Sequence, residues 1–239
     1  MARFLKSFPW FHFALAIGIA AFFFTGSQCG ENVPKLAASA NRKDGTAVYI
    51  LLDVSGSMDE SVPNATGAAE PKLAIAKRAA IDACRAIAKY AAEDQTRTIR
   101  VAVASFSDDF LVASGMNQPD ADAIAPAINA LGTRGGTAIG DAVVAAQKAL
   151  DQTGLKNQHI LVVTDGENNQ GVTPEGAATA INNLPAELRP SVYVVAFDVK
   201  ASVFDGVKEK GWQVFSAADG KQLAQQLDEV VGGHILIEK

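Results

Sequence analysis

Three short stretches place oxygen-bearing side chains at the ends of apolar runs. VYILLDVSGSM, residues 48–58, stops abruptly at Asp53, and Ser55 and Ser57 follow at alternate positions. HILVVTDGENN, residues 159–169, ends in the same manner at Asp165. LGTRGGTAIGDA, residues 131–142, carries Thr133 and Thr137 on a glycine-rich turn ahead of a helical pattern. Two carboxylates and several hydroxyls, without Cys or His, form a ligand set for a hard cation: Mg²⁺ first, with Mn²⁺ or Ca²⁺ as alternatives. Residues two apart in an extended turn point to the same side, so Ser55 and Ser57 can approach one ion.

The elements that would position these residues alternate along the chain. Strand-like runs occupy 47–54, 98–106, 109–115, 159–165, 191–199 and 212–217. Helical patterns lie between them at 72–92, 119–131, 138–152, 173–184 and 220–231, with Thr173 and Pro174 as a cap and first-turn pair. Strands apolar on both faces and separated by helices predict an α/β fold, doubly wound, with a mostly parallel sheet covered on both sides. The run TIRVAVASFSDDFLVASG predicts one antiparallel edge strand. Ligands of such sheets bind at the carboxyl ends of the strands, which is the rim where Asp53, Asp165 and the glycine-rich turn converge.

The order D-x-S-x-S, then Thr in a glycine turn, then a strand-terminal TDG, resembles the von Willebrand factor A domain, a Rossmann-like fold. The likeness runs from about residue 46 to 231 and includes KLAIAKRA, GGTAIGDA and VYVVAFDV. It implies a metal-ion-dependent adhesion site at Asp53, Ser55, Ser57, Thr137 and Asp165. The serines and the threonine would touch the ion, and the aspartates would bond largely through water. It further implies a binding module whose protein or peptide ligand supplies an Asp or Glu carboxylate to an under-neutralised ion. Glu167, Asn168 and Asp141 are candidate ligand contacts beside it; Asn169 shares that loop, and Asp198 ends a strand at the same edge. One departure from the family pattern is DESVPNATGAAEP, residues 59–71, which precedes Lys72-Leu73 and reads as an exposed loop next to the site.

Other chemistries find less support. A phosphotransferase of the haloacid-dehalogenase type wants D-x-D, and Ser55 stands where the second Asp would be the general acid. GTRGGTA lacks the Lys of a phosphate-binding loop, and no G-x-S-x-G is paired with a histidine. A Mg²⁺-dependent hydrolase is therefore the weaker alternative, and a scaffold subunit of a larger envelope complex the closer one. A net charge of −5 with scattered Lys and Arg excludes a nucleic-acid partner. Of two cysteines, Cys84 falls on an apolar helix face, so no disulfide framework is indicated.

The N-terminus differs in kind. Arg3 and Lys6 precede the apolar FALAIGIAAFFF, and TGSQCGEN follows. These are the parts of an export signal. Residues 1–29 are expected to be a signal peptide or membrane anchor, 30–46 a linker, and 47–239 the domain. Thr25 and Ser27 suit ordinary cleavage; Cys29 would be the acceptor in a lipoprotein, although Gln28 is bulky for that signal. Either route, or retention as an anchor, predicts a periplasmic or cell-envelope location.

Overall fold

Alternation along the central strand decides the layers. The computed structural model describes residues 33–237, and its first strand, β1 (Lys43–Asp53), is buried from Thr46 to its end. Val48, Ile50 and Leu52 point into one core cluster, and Tyr49 and Leu51 into the other. With both faces apolar, this strand must lie at the centre of a sheet with helices on each side.

The sheet has six strands in the order β5-β4-β1-β6-β7-β8. β4 (Ile99–Phe106) and β6 (Leu155–Thr164) flank β1 in parallel. β7 (Ser191–Phe197) and β8 (Gln213–Ala217) extend the sheet in the same sense. β5 (Phe110–Asn117) is the antiparallel edge that the sequence predicts. The chain leaves β1 for β4 on one side and later returns to β6 on the other, so the strand order reverses at β1 and opens a crevice above its carboxyl end.

One face is covered by α1 (Lys72–Glu93), α2 (Ala121–Asn129) and α6 (Gly220–Val230). Cys84 packs there, fully buried, and burial pushes its thiol up to about 12. The other face is covered by α3 (Ile139–Thr153), α4 (Pro174–Asn182) and the short α5 (Asp205–Glu209). α4 begins as its sequence predicts, with Thr173 Oγ1 accepting the Gly176 amide at 3.0 Å. A π-helical turn, Val231–Ile235, ends α6. Truncating Leu51 or Ile50 to Ala would open a cavity between these layers, at about 2–5 kcal/mol.

Three features depart from expectation. β1 begins at Lys43 and not at Ala47, because Lys43 and Thr46 pair with Leu155 and Asn157 of β6, which also starts earlier than expected. Residues 33–42, read as linker, lack helix or strand yet are tethered. Arg42 donates to Leu155 O and to Asp151, both at 2.9 Å, and the Ser39 amide donates to Asp151 at 2.8 Å. The 59–71 loop is a two-stranded hairpin, β2 (Ser61–Pro63) against β3 (Ala69–Pro71). Asn64 Oδ1 organises its turn by accepting the amides of Thr66 and Ala68. The export or anchor segment 1–29, with Cys29, lies outside the described residues. Among the described residues no helix is long and apolar enough to cross a membrane.

Candidate metal centre

At the carboxyl end of β1 the chain passes through a 3₁₀ turn, Gly56–Asp59, that is pinned from three sides. The Val54 amide donates to Phe106 O at 2.9 Å, the Arg134 amide to Val54 O at 2.6 Å, and the Gly56 amide to Gly135 O at 3.2 Å. Met58, fully buried, fastens the turn to the core. The loops after β1 and β4 and the turn before α3 are thereby held together by backbone bonds, to which the Gly136 amide adds a bond to Asp108 Oδ1 at 2.6 Å. Gly135, at φ 62°, supplies the left-handed residue this contact requires.

The five residues singled out for metal binding share this rim, and all but Ser57 are buried. Asp53 is inaccessible to solvent. Its Oδ1 accepts the Ser55 amide at 2.7 Å, and its Oδ2 accepts the Thr164 hydroxyl at 2.5 Å. Burial pushes its carboxyl up to about 6; the hydrogen bonds from Ser55 and Thr164 pull the other way, and the nearby Asp165 adds to the rise. Ser55 Oγ and Ser57 Oγ lie 3.1 Å apart, and Ser57 Oγ donates to Asp165 Oδ1 at 2.8 Å. Thr137 Oγ1 and Ser57 Oγ both face the open side of Gly166, 3.6 and 3.9 Å from where its Cβ would be.

These spacings test whether a small dication fits. With Mg–O distances of about 2.1 Å, neighbouring ligands in an octahedron are about 3.0 Å apart. The Ser55–Ser57 and Ser57–Asp165 separations of 3.1 and 2.8 Å, which are hydrogen-bond lengths, are compatible with that spacing, and hydroxyl and carboxylate oxygens are donors that Mg²⁺ takes. Among the described residues no group of three or more His, Cys, Asp or Glu could hold a metal, which leaves a hydroxyl-rich set with two carboxylates.

Thr137 is positioned by its neighbours. Its amide donates to Asn169 Oδ1 at 2.9 Å, and the Asn169 amide donates back to Thr137 O at 3.0 Å. Gly140, in the first turn of α3, lets the 168–173 loop approach so closely that a Cβ there would run into Val172 O. Of the candidate ligand contacts, Glu167 is exposed at the rim. Asn168 is turned inward instead: its Oδ1 takes the Gly140 amide at 3.3 Å and its Nδ2 donates to Gln170 O at 2.8 Å. Asp141 is exposed but accepts the Val172 amide at 3.3 Å, so it braces the same loop.

Sequence reasoning passed over Thr164 and Lys72 and read Asp198 only as a strand end. Thr164 orients Asp53, and its only signal is its place one residue before Asp165. Lys72 opens α1, with its side chain 4 % exposed. Its Nζ lies 3.0 Å from Asp165 Oδ2, 3.0 Å from Asp198 Oδ2 and 2.9 Å from Glu60 Oε2. Burial lowers the affinity of this amine for its proton, and the three carboxylates more than offset that, so its pKa is raised. Asp198 adopts a left-handed φ of 53° at the end of β7, with its amide donating to Ala217 O at 2.7 Å.

A family profile described as von Willebrand factor type A domain matches residues 48–167. Similar folds occur in the PilB minor pilin of Streptococcus sanguinis (TM-score 0.64, 15 % identity, covering 85 % of this chain and 63 % of the pilin). A von Willebrand factor type A protein of Catenulispora acidiphila is similar at TM-score 0.62 and 22 % identity, over 79 % of this chain and 42 % of that one. An aerotolerance-related membrane protein of Bacteroides fragilis is similar at TM-score 0.59 and 17 % identity, over 79 % of this chain and 100 % of that one. The chain thus spans less than two thirds of the first two structures. No curated protein matches it by sequence.

Proposed function

The chain belongs to the von Willebrand factor type A family, and from that premise we propose that it is a binding module that captures a protein or peptide ligand through a Mg²⁺-bridged carboxylate. The observation that carries this reading is the oxygen set at the carboxyl end of β1. Ser55 Oγ and Ser57 Oγ stand 3.1 Å apart, Ser57 Oγ donates to Asp165 at 2.8 Å, Thr137 faces the same space, and Asp53 lies behind them as a fixed charge. Ser55, Ser57 and Thr137 would hold the ion directly with neutral hydroxyls. Both Asp53 oxygens already hold a protein donor, which leaves its remaining lone pairs for water. When bound, Mg²⁺ would offer an incompletely neutralised positive charge to an external Asp or Glu.

Binding is favoured over hydrolysis by the state of the amine at the rim. Lys72 is engaged by three carboxylates and has no lone pair with which to abstract a proton. Export or anchoring through residues 1–29 belongs to the same proposal and rests on their basic start and apolar run. That the fold recurs in a minor pilin and in an aerotolerance-related membrane protein is in keeping with an envelope location. The test is retention of envelope proteins by the immobilised full chain. A ligand held in Mg²⁺, released by EDTA and displaced by a free dicarboxylate supports the proposal; equal retention with Mg²⁺ and with EDTA contradicts it.

A further inference from the structure

A buried ammonium on a candidate metal-site carboxylate is unexpected where a dication is to bind. Lys72 Nζ sits 3.0 Å from Asp165 Oδ2, while the other oxygen of that carboxylate faces Ser57 Oγ at 2.8 Å. The side chain of Asp165 is inaccessible to solvent, so water screens this pair little. Lys72 is held in place from outside by Glu60, next to the β2–β3 hairpin, and by Asp198, at the end of β7. Its backbone is fixed as well, the Lys72 amide donating to Glu60 O at 2.8 Å.

Charge arithmetic gives this arrangement a consequence. Asp53 and Asp165 together would neutralise a dication and leave it little attraction for a third carboxylate. An ammonium directly on Asp165 takes up much of one of those charges and restores a net positive site. We propose that Lys72 is a specificity-determining residue of the binding site: its ammonium, held by Asp165, Asp198 and Glu60, weakens the hold of the protein on the ion and thereby strengthens the hold of the ion on an external carboxylate. This rests on the metal-bridged reading given above.

The two effects have opposite signs, and that separates them from a structural role. In Lys72→Met the site gains net negative charge, so Mg²⁺ or Mn²⁺ binds tighter, by on the order of tenfold. Acetate binding to the Mn²⁺-loaded protein weakens by a similar factor. A lysine that merely braces the loops would weaken both when removed. Glu60→Gln gives the converse in a variant whose altered side chain is 70 % exposed and which should fold even where Lys72→Met does not. With one counter-charge gone, metal binding weakens by about twofold and acetate binding tightens.

The experiment is a Mn²⁺ titration of the full-length chain followed by water-proton relaxation, then an acetate titration of the loaded protein, for wild type, Lys72→Met, Lys72→Arg and Glu60→Gln. Opposite shifts in metal and acetate affinity, with Lys72→Arg near wild type, are the expected result. Parallel losses in Lys72→Met, or no change in Glu60→Gln, overturn the role of Lys72 while leaving the metal site intact. Absence of Mn²⁺ binding by the wild type overturns the metal-bridged reading itself.

Discussion

The Ser57 hydroxyl, from the turn after β1, donates to Asp165 Oδ1 on the loop after β6 across 2.8 Å and 108 positions of sequence. This bond joins two strand ends at the point where the sheet order reverses, so its removal should be felt both in stability and in metal binding. Ser57→Ala should lose about 1.5 kcal/mol without metal, the lower end for a bond to a charged acceptor, because Ser57 is only half-buried. It should also weaken Mg²⁺ by on the order of tenfold or more. Urea denaturation and a Mg²⁺ titration of the same variant read the two effects separately.

Thr164 carries a second expectation. Its hydroxyl is the donor to Asp53 Oδ2, and both groups are wholly buried. Thr164→Val keeps the volume and strands one carboxylate oxygen, which should cost about 2–3 kcal/mol of metal-free stability. A loss under about 0.5 kcal/mol, the range of an inconsequential substitution, would show that water replaces the hydroxyl and that the bond does not orient Asp53.

Gly140 is where backbone geometry, and not a ligand, holds Thr137. Its missing side chain admits the Val172 carbonyl. Gly140→Ala should push the 168–173 loop away, lowering stability by about 1–3 kcal/mol, as overpacking does. The Asn169–Thr137 pair of bonds should go with it. Faster amide exchange at Asn169 and Thr137 than in wild type is the diagnostic; unchanged exchange there would place the strain elsewhere.

His159 gives a pH dependence. It lies fully buried in β6 with Tyr193 Oη 3.5 Å from its Nδ1, and burial pulls it from 6.5 down to about 4. The unfolded chain takes up its proton first, so the stability contributed by neutral His159 is complete above pH 6.5 and falls away as pH drops toward 4. The total is about 3 kcal/mol at most. Asp53 acts in the opposite sense over an overlapping range: pushed up from 3.8 to about 6, it contributes stability below 3.8 that is lost as pH rises through 6. The difference between wild type and His159→Gln isolates the histidine, and it should shrink on acidification. A difference that stays constant from pH 7 to pH 4.5 would contradict this assignment.

The sheet and the site were legible in the sequence to different depths. Apolar runs separated by helical periodicity sufficed for the layers, because β1, β4, β6 and β7 are buried along most of their length, and the tight SDD turn after β4 sufficed for the partly exposed edge strand β5. Residues 43–46 were not, since their pairing with β6 depends on backbone bonds that polar side chains do not announce. The hairpin at 59–71 was hidden for a similar reason: Asn64 organises it through its own side chain, while the residues themselves are those of a loop. Asp53, Ser55, Ser57, Thr137 and Asp165 stood out because the two aspartates end apolar strands and the three hydroxyls sit in turns at the same edge. Lys72 did not, because a lysine opening an amphipathic helix ordinarily faces solvent, and only the convergence of Glu60, Asp165 and Asp198 from distant segments turns it inward.

Thermal unfolding gives the plainest reading of whether a divalent ion is held by the oxygens above β1. At Mg²⁺ about a hundredfold above its dissociation constant, binding contributes about 2.7 kcal/mol, which in a domain of this size raises Tm by about 5–10 °C over EDTA. That rise is expected for the wild type and not for Asp53→Asn. Identical melting curves for the wild type in saturating Mg²⁺ and in EDTA would contradict it.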